Sequence, residues 1–205
     1  DLHARIDDPK LDVRPDDMTA TIVKAALETG RAAPGSPALV RDVLAGEVPG
    51  IRASVVSLGP GGRHAEGRTS TEDKVYLVLG GRGAVVADGK PLPVERQTIA
   101  RLPVGTDTEL AANAGPTLDV LVLRHALGDE DRADRAAHPE NQPGPYVRKF
   151  SECPTYGEAI KSAKTTSRTL LPKDVVPRMS IGTVETAGPD RVAPHAHPML
   201  EQFFL

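Results

Sequence analysis

The sequence predicts an all-β fold, a barrel or sandwich of short antiparallel strands, and three features point there. Apolar residues fall in short runs, with turn residues recurring about every eight to twelve positions. Glycine and proline are abundant, 19 of each in 205 residues, which suits many tight turns better than long helices. Asp88-Gly89 follows Ala84-Val-Val-Ala87 and is a two-residue hairpin signal, because such turns need φ > 0 and these residue types tolerate it. Aromatic residues make up only 3% of the chain and tryptophan is absent, so the core must come from Val, Leu, Ile and Ala.

Residues 1–50 read as a helical and loop extension. Met18 to Gly30 follows an acidic start and carries Ile22, Val23, Ala26 and Leu27 on one face, as an amphipathic helix does. Ser36 to Gly46 reads as a second, shorter helix, with Ser36 as N-cap and Pro37 in the first turn.

Residues 51–125 read as a first barrel. The strands are Ile51 to Leu58, Lys74 to Leu79, Ala84 to Ala87, Gln97 to Leu102 and Leu118 to Arg124. Turns at Gly59-Pro60-Gly61-Gly62, Gly80-Gly81-Arg82-Gly83 and Pro103-Val104-Gly105 separate them. Residues 126–178 read as a connecting segment, charged at first and with room for a helical turn. Met179 to Glu185 opens a new strand series, so residues 179–205 read as the start of a second unit. The two units share one plan, which suggests duplication of a module.

Charge and cysteine content narrow the classes of function. The formal net charge is −3 and no basic stripe stands out, which argues against a nucleic-acid partner. No run of about 18 apolar residues is available to cross a membrane, and no basic stretch followed by an apolar h-region is seen in this sequence. A cytoplasmic location is the expectation. The single cysteine, Cys153, excludes an internal disulfide and a cysteine metal cage, and reads as a partly buried spectator.

Two short segments carry a resemblance. Gly62, five residues, Arg68-Thr69-Ser70, three residues, Lys74, six residues and Gly81 form one frame, and Pro103-Val104-Gly105-Thr106-Asp107-Thr108 forms another. Their spacing resembles the two motifs of the cupin superfamily, whose members are small jelly-roll barrels. The family's first motif places His-x-His and Glu at three of these positions. Its second adds a third His, and the four groups usually hold one divalent metal. Here those positions are Arg68, Ser70, Lys74 and Thr108, and cationic or lone hydroxyl side chains make poor metal ligands. The resemblance therefore implies a first barrel without its metal. Arg68, Lys74 and Arg101 are candidate ligand-binding cations for a small anion, with surface charges or an ion pair to Glu72 or Asp73 as the plainer reading. His64, Glu66 and Glu72 lie near this segment and could form a displaced site, with solvated turn residues as the plainer reading.

The second unit contains Pro194-His195-Ala196-His197-Pro198-Met199-Leu200-Glu201, which has the family's His-x-His and Glu spacing. Gly188 precedes His195 by six intervening residues where the family has five. Residues two apart on a strand face one side, so His195 and His197 can both point inward, with Glu201 in the same parity. These three are the candidate metal ligands, for Fe, Mn, Ni, Co or Zn. The fourth ligand and the rest of the barrel are expected beyond Leu205. His3, His125 and His138 read as bystanders.

The resemblance thus implies a bicupin: a cupin jelly-roll barrel preceded by N-terminal helices and followed by the beginning of a second cupin module. It further implies a metal-dependent enzyme acting on a small polar molecule, of dioxygenase, isomerase, decarboxylase or hydrolase type, with no catalytic residue assigned. The alternatives are a non-catalytic small-anion-binding or sensing cupin that uses the first barrel, and a structural or storage protein. Sheet edges that need cover make a homodimer the expected partner arrangement.

Overall fold

The computed structural model describes residues 25–27, 29, 32–141 and 144–190. Its architecture is of the predicted class, an antiparallel all-β jelly roll. The strands are β1 (Leu39–Val43), β2 (Ile51–Leu58), β3 (Arg63–Gly67), β4 (Glu72–Gly80), β5 (Arg82–Ala87), β6 (Lys90–Glu95) and β7 (Thr98–Leu102). They are followed by β8 (Thr108–Ala112), β9 (Leu118–Ala126), β10 (Tyr146–Lys149), β11 (Thr155–Tyr156), β12 (Thr165–Val176) and β13 (Met179–Thr186). A single α-helix among the described residues, α1 (Asp129–Ala137), joins β9 to β10 by way of a short 3-10 turn.

Two sheets form the barrel. One has six strands in the order β1-β2-β9-β4-β7-β10, and the other has four in the order β3-β8-β5-β6. Both contribute to a first core that includes Val56, Leu58, Tyr76, Val78, Val85, Val94, Leu102, Leu110, Leu118, Val120 and Val122. A third sheet, β11-β12-β13, shares a second core with the opposite face of the six-stranded sheet. Val55, Val75, Ile99, Leu121 and Leu123 meet Leu170, Leu171, Val176 and Met179 there. Strand parity explains the division: Val56 and Tyr76 point into the barrel, while their neighbours Val55 and Val75 point out of it. Covered on both faces, β2 and β9 are buried at consecutive positions rather than alternate ones.

The turn from β4 to β5 shows why its glycine is required. Gly81 has φ +79°, and a Cβ there would lie 2.2 Å from the Thr117 carbonyl oxygen. Any side chain would suffer both left-handed strain and a clash with backbone.

Several expectations need correction. Ser36 to Gly46 is not a helix: Leu39–Val43 is β1, which pairs antiparallel with β2 at the sheet's edge. Local capping signals are weak beside a ladder of backbone hydrogen bonds to a well-buried neighbour, and β-branched Val40 and Val43 suit that ladder. The Ser36 hydroxyl donates to the Ala33 carbonyl at 2.7 Å instead of capping. The first expected helix falls largely outside the described residues, and Ala25–Leu27 has no regular structure.

The connecting segment is also more ordered than its polarity suggests. Beyond α1, β10 returns to the barrel beside β7, with Tyr146 opposite Arg101, and β12 precedes the expected β13. Helix α1 forms for local reasons. Asp129, Glu130 and Asp131 occupy its first turn, Arg135 its last, and the Asp131 carboxylate accepts from the Gly128 N–H at 2.8 Å. No helix among the described residues is long and apolar enough to cross a membrane.

Candidate functional site

Polar side chains gather in two places, on opposite faces of β4 and β9. The first lies inside the barrel. Lys74 on β4 and Arg124 on β9 are directly opposite each other and share the inward parity of Tyr76 and Val122. Two facing cations repel, and burial makes the repulsion costly. Glu66 on β3 resolves it. Arg124 donates to the Glu66 carboxylate through Nε at 3.0 Å and through Nη2 at 2.7 Å, and its Nη1 donates to the Ser54 hydroxyl at 2.7 Å. The Lys74 ammonium donates to the backbone carbonyls of Glu66 (3.2 Å) and Gly67. Burial lowers the Lys74 pKa, with the Glu66 charge opposing and the Arg124 charge adding to the effect. His64 shares the β3 face of Glu66, 3.1 Å from its carboxylate. Tyr76 completes the lining. Its hydroxyl is buried beside Thr108, and burial, aided by the Glu66 charge, raises its pKa so that the phenol stays neutral.

His64 and Glu66 are therefore not solvated turn residues: they sit two apart on a strand, and the Glu66 side chain is only 3% exposed. Glu72 does lie at the surface end of β4, paired with Arg52 at 2.8 Å. The spacing frame put the first motif's ligand positions at Arg68 and Ser70, which are exposed residues of the loop between β3 and β4. Arg68 ties three loops together there, donating to Asp88 at 2.7 Å and to the Gly105 carbonyl, while the Gly105 N–H donates to the Thr69 carbonyl at 2.7 Å. Thr108 is buried on β8 and donates to the Thr106 carbonyl at 3.3 Å. Among the described residues, no group of three or more His, Cys, Asp or Glu side chains could hold a metal ion. Inside this barrel only His64 and Glu66 are of a ligating type, and both Glu66 oxygens are engaged by Arg124. The residues present do not fit a metal.

The second gathering lies on the outer face of the six-stranded sheet. Asp73 on β4 stands opposite His125 on β9, and Arg101 reaches Asp73 from β7 at 3.2 Å. Neither the Arg101 nor the Asp73 side chain is exposed to solvent. Arg135 of α1 also pairs with Asp73, and the Val104 N–H donates to it at 3.2 Å. Close by, Arg178 grips Asp131 at 2.7 and 2.9 Å. Burial pushes the Asp131 pKa up, but the Arg178 and Gly128 hydrogen bonds outweigh it and hold the carboxyl below its usual value. His125 is thus no loop bystander. It is buried, and burial lowers its pKa despite the nearby charges of Asp131 and Asp73.

The three candidate anion-binding cations do not come together. Arg68 is at the exposed loop end, Lys74 inside the barrel, and Arg101 on the opposite face of the sheet. Cys153 is buried in the second core, donates to the Lys149 carbonyl at 3.3 Å, and has its pKa raised by burial. His195, His197 and Glu201 lie outside the described residues, and so does His3; His138 is exposed beside Glu140.

Comparison with solved structures agrees with the fold. A protein from Pseudomonas aeruginosa described as glyoxylate-induced superposes with a TM-score of 0.54 at 13% identity, over 67% of this chain and 50% of that one. The protein Ylba from E. coli gives 0.52 at 13% identity, over 71% of this chain and 55% of that one. An RmlC-like cupin protein from Desulfovibrio desulfuricans matches over 52% of this chain and 97% of its own, at 19% identity and a TM-score of 0.43. At such identities the first two likenesses are of fold, and this chain spans about half the length of each of those two structures. No family model matches the sequence. No curated protein matches it either.

Proposed function

We propose that this chain belongs to a two-module cupin enzyme that uses a divalent metal on a small polar substrate. In this reading His195, His197 and Glu201 hold the metal and the first barrel is a metal-free scaffold. The observation that carries the proposal is the interior of that barrel. Its inward positions are filled by Glu66, Arg124 and Lys74, which neutralise and hydrogen-bond one another and leave no ligand set. The other donor set with metal chemistry is the His-x-His and Glu of residues 195–201, which follow the β12–β13 hairpin. Two imidazoles and a carboxylate suit a first-row divalent metal, which polarises a substrate oxygen when bound. Matching about half of two longer solved chains is compatible with a second module of similar size.

Elemental analysis of the protein after gentle purification tests this. Near-stoichiometric metal is expected in the natural protein and in His64→Ala, and its loss in His195→Ala combined with His197→Ala. Metal retained in that double variant, or a folded natural protein that takes up none, would end the reading.

A further inference from the structure

The outer-face cluster around Asp73 carries more donors than acceptors. Arg101 Nη2 and Arg135 share the one Asp73 carboxylate, which also accepts from the Val104 N–H. Arg101 Nη1 reaches only the Gly144 carbonyl, at 3.5 Å. Four buried nitrogen atoms in this cluster have no hydrogen-bond partner among the described residues: Arg101 Nε, Arg135 Nε, Arg135 Nη1 and His125 Nδ1. Asp131, whose charge acts on His125, is held by Arg178 and the Gly128 N–H. Inside the barrel, by contrast, every nitrogen of the Arg124 guanidinium is partnered.

A buried guanidinium with unused N–H groups is unfavourable, and two of them against a single carboxylate leave an uncompensated positive charge. A ligand that supplies several acceptor oxygens and negative charge removes both penalties at once. Guanidinium groups suit carboxylate and phosphate geometry, and Arg135 retains 12% side-chain exposure, which gives the cluster a route to solvent. We propose that Arg101 and Arg135 form a binding site for a small oxyanion, lodged between the outer face of the barrel and α1. Bound there, the anion links the helix to the sheet. The site is separate from the barrel interior and independent of any metal in the second module.

The test is a thermal-unfolding titration of the full chain at constant ionic strength with chloride, inorganic phosphate, sulfate and acetate. Phosphate and sulfate represent tetrahedral anions, and acetate represents carboxylates. A saturable rise in Tm is expected with at least one oxyanion and not with chloride, as selective binding to the native state requires. Arg135→Gln should weaken the apparent affinity at least about tenfold, whereas Arg132→Gln, on the exposed side of the same helix, should leave it unchanged. Should Arg135→Gln fail to fold, Arg135→Lys keeps the charge with a less extended set of donors, and calorimetry should show weakened binding. An unsaturable rise shared by all variants is general salt exclusion and would overturn the proposal. So would the absence of any response in the natural protein, or undiminished binding in whichever Arg135 variant folds.

Discussion

The two faces of β4 solve the same electrostatic problem differently. Lys74 points into the barrel and Asp73, one residue earlier, points out of it. Inside, two facing cations share one carboxylate, and the excess donors find backbone carbonyls and a serine hydroxyl, so the network closes on itself. Outside, two arginines again share one carboxylate, but donors remain unused beneath α1. A closed network specifies a scaffold, and an open one invites a ligand. Charge count alone does not separate them, since each has two cations on one acid. What differs is the supply of acceptors around the charges.

The comparison breaks most readily at Glu66. Glu66→Ala leaves Lys74 and Arg124 facing each other without a counter-charge and should cost about 3–5 kcal/mol in chemical denaturation. Replacing all three charges together, Glu66→Leu with Arg124→Met and Lys74→Met, should recover most of that loss, because an apolar interior needs no neutralisation. A loss below about 1 kcal/mol for Glu66→Ala would mean that water screens the cations and that the barrel interior is open.

A smaller effect sharpens the outer face. Burial depresses the His125 pKa below 6.5, so between the two values the unfolded chain binds a proton that the folded chain does not. Its contribution to stability is therefore intact above pH 6.5 and declines as pH falls through the window beneath it. The slope approaches at most about 1.4 kcal/mol per pH unit for one group. Denaturation at about pH 7 and about pH 5.5 should show this loss in the natural protein and a flatter profile in His125→Leu. An unchanged profile in the variant would assign the acid sensitivity elsewhere; Asp131, with its lowered pKa, keeps its stabilising contribution above 3.8 and loses it only as pH falls below that value.

The smallest change is expected at the exposed loop. Arg68→Ala removes an ion pair whose members are 60% and 56% exposed. It should alter stability by no more than about 1 kcal/mol. A larger loss would show that the stitching of the loops by Arg68 contributes more than an exposed ion pair does.

The strands legible in the sequence include β2, β4, β7 and β9, buried at consecutive positions, and also β5 and β13, whose burial alternates. Ile51 to Leu58, Lys74 to Leu79 and Leu118 to Arg124 announce themselves by apolar majorities bounded by turn residues. The missed strands β3, β6 and β8 belong to the four-stranded sheet, where residues such as Arg63, His64, Lys90, Pro91 and Glu109 dilute the apolar signal. Recognising β3 as a strand would have shown Glu66 facing inward, since His64 and Glu66 are two apart. The outer cluster had no comparable signal. Asp73, Arg101, His125 and Arg135 come from four separate elements, and only the strand pairing and the docking of α1 unite them.

By itself, the sequence determined the all-β class, the hairpin at Asp88-Gly89, the cationic and hydroxyl side chains at the motif-frame positions of the barrel, and strand β13. Composition, turn residues and side-chain chemistry are local properties, and they survive without knowledge of the fold. Tertiary structure alone decided that Leu39–Val43 is an edge strand, that Arg68, Lys74 and Arg101 occupy three different environments, and that Arg135 joins Arg101 on one carboxylate. Each of those depends on which face of a strand a neighbour covers, and that is fixed by partners tens of residues away along the chain.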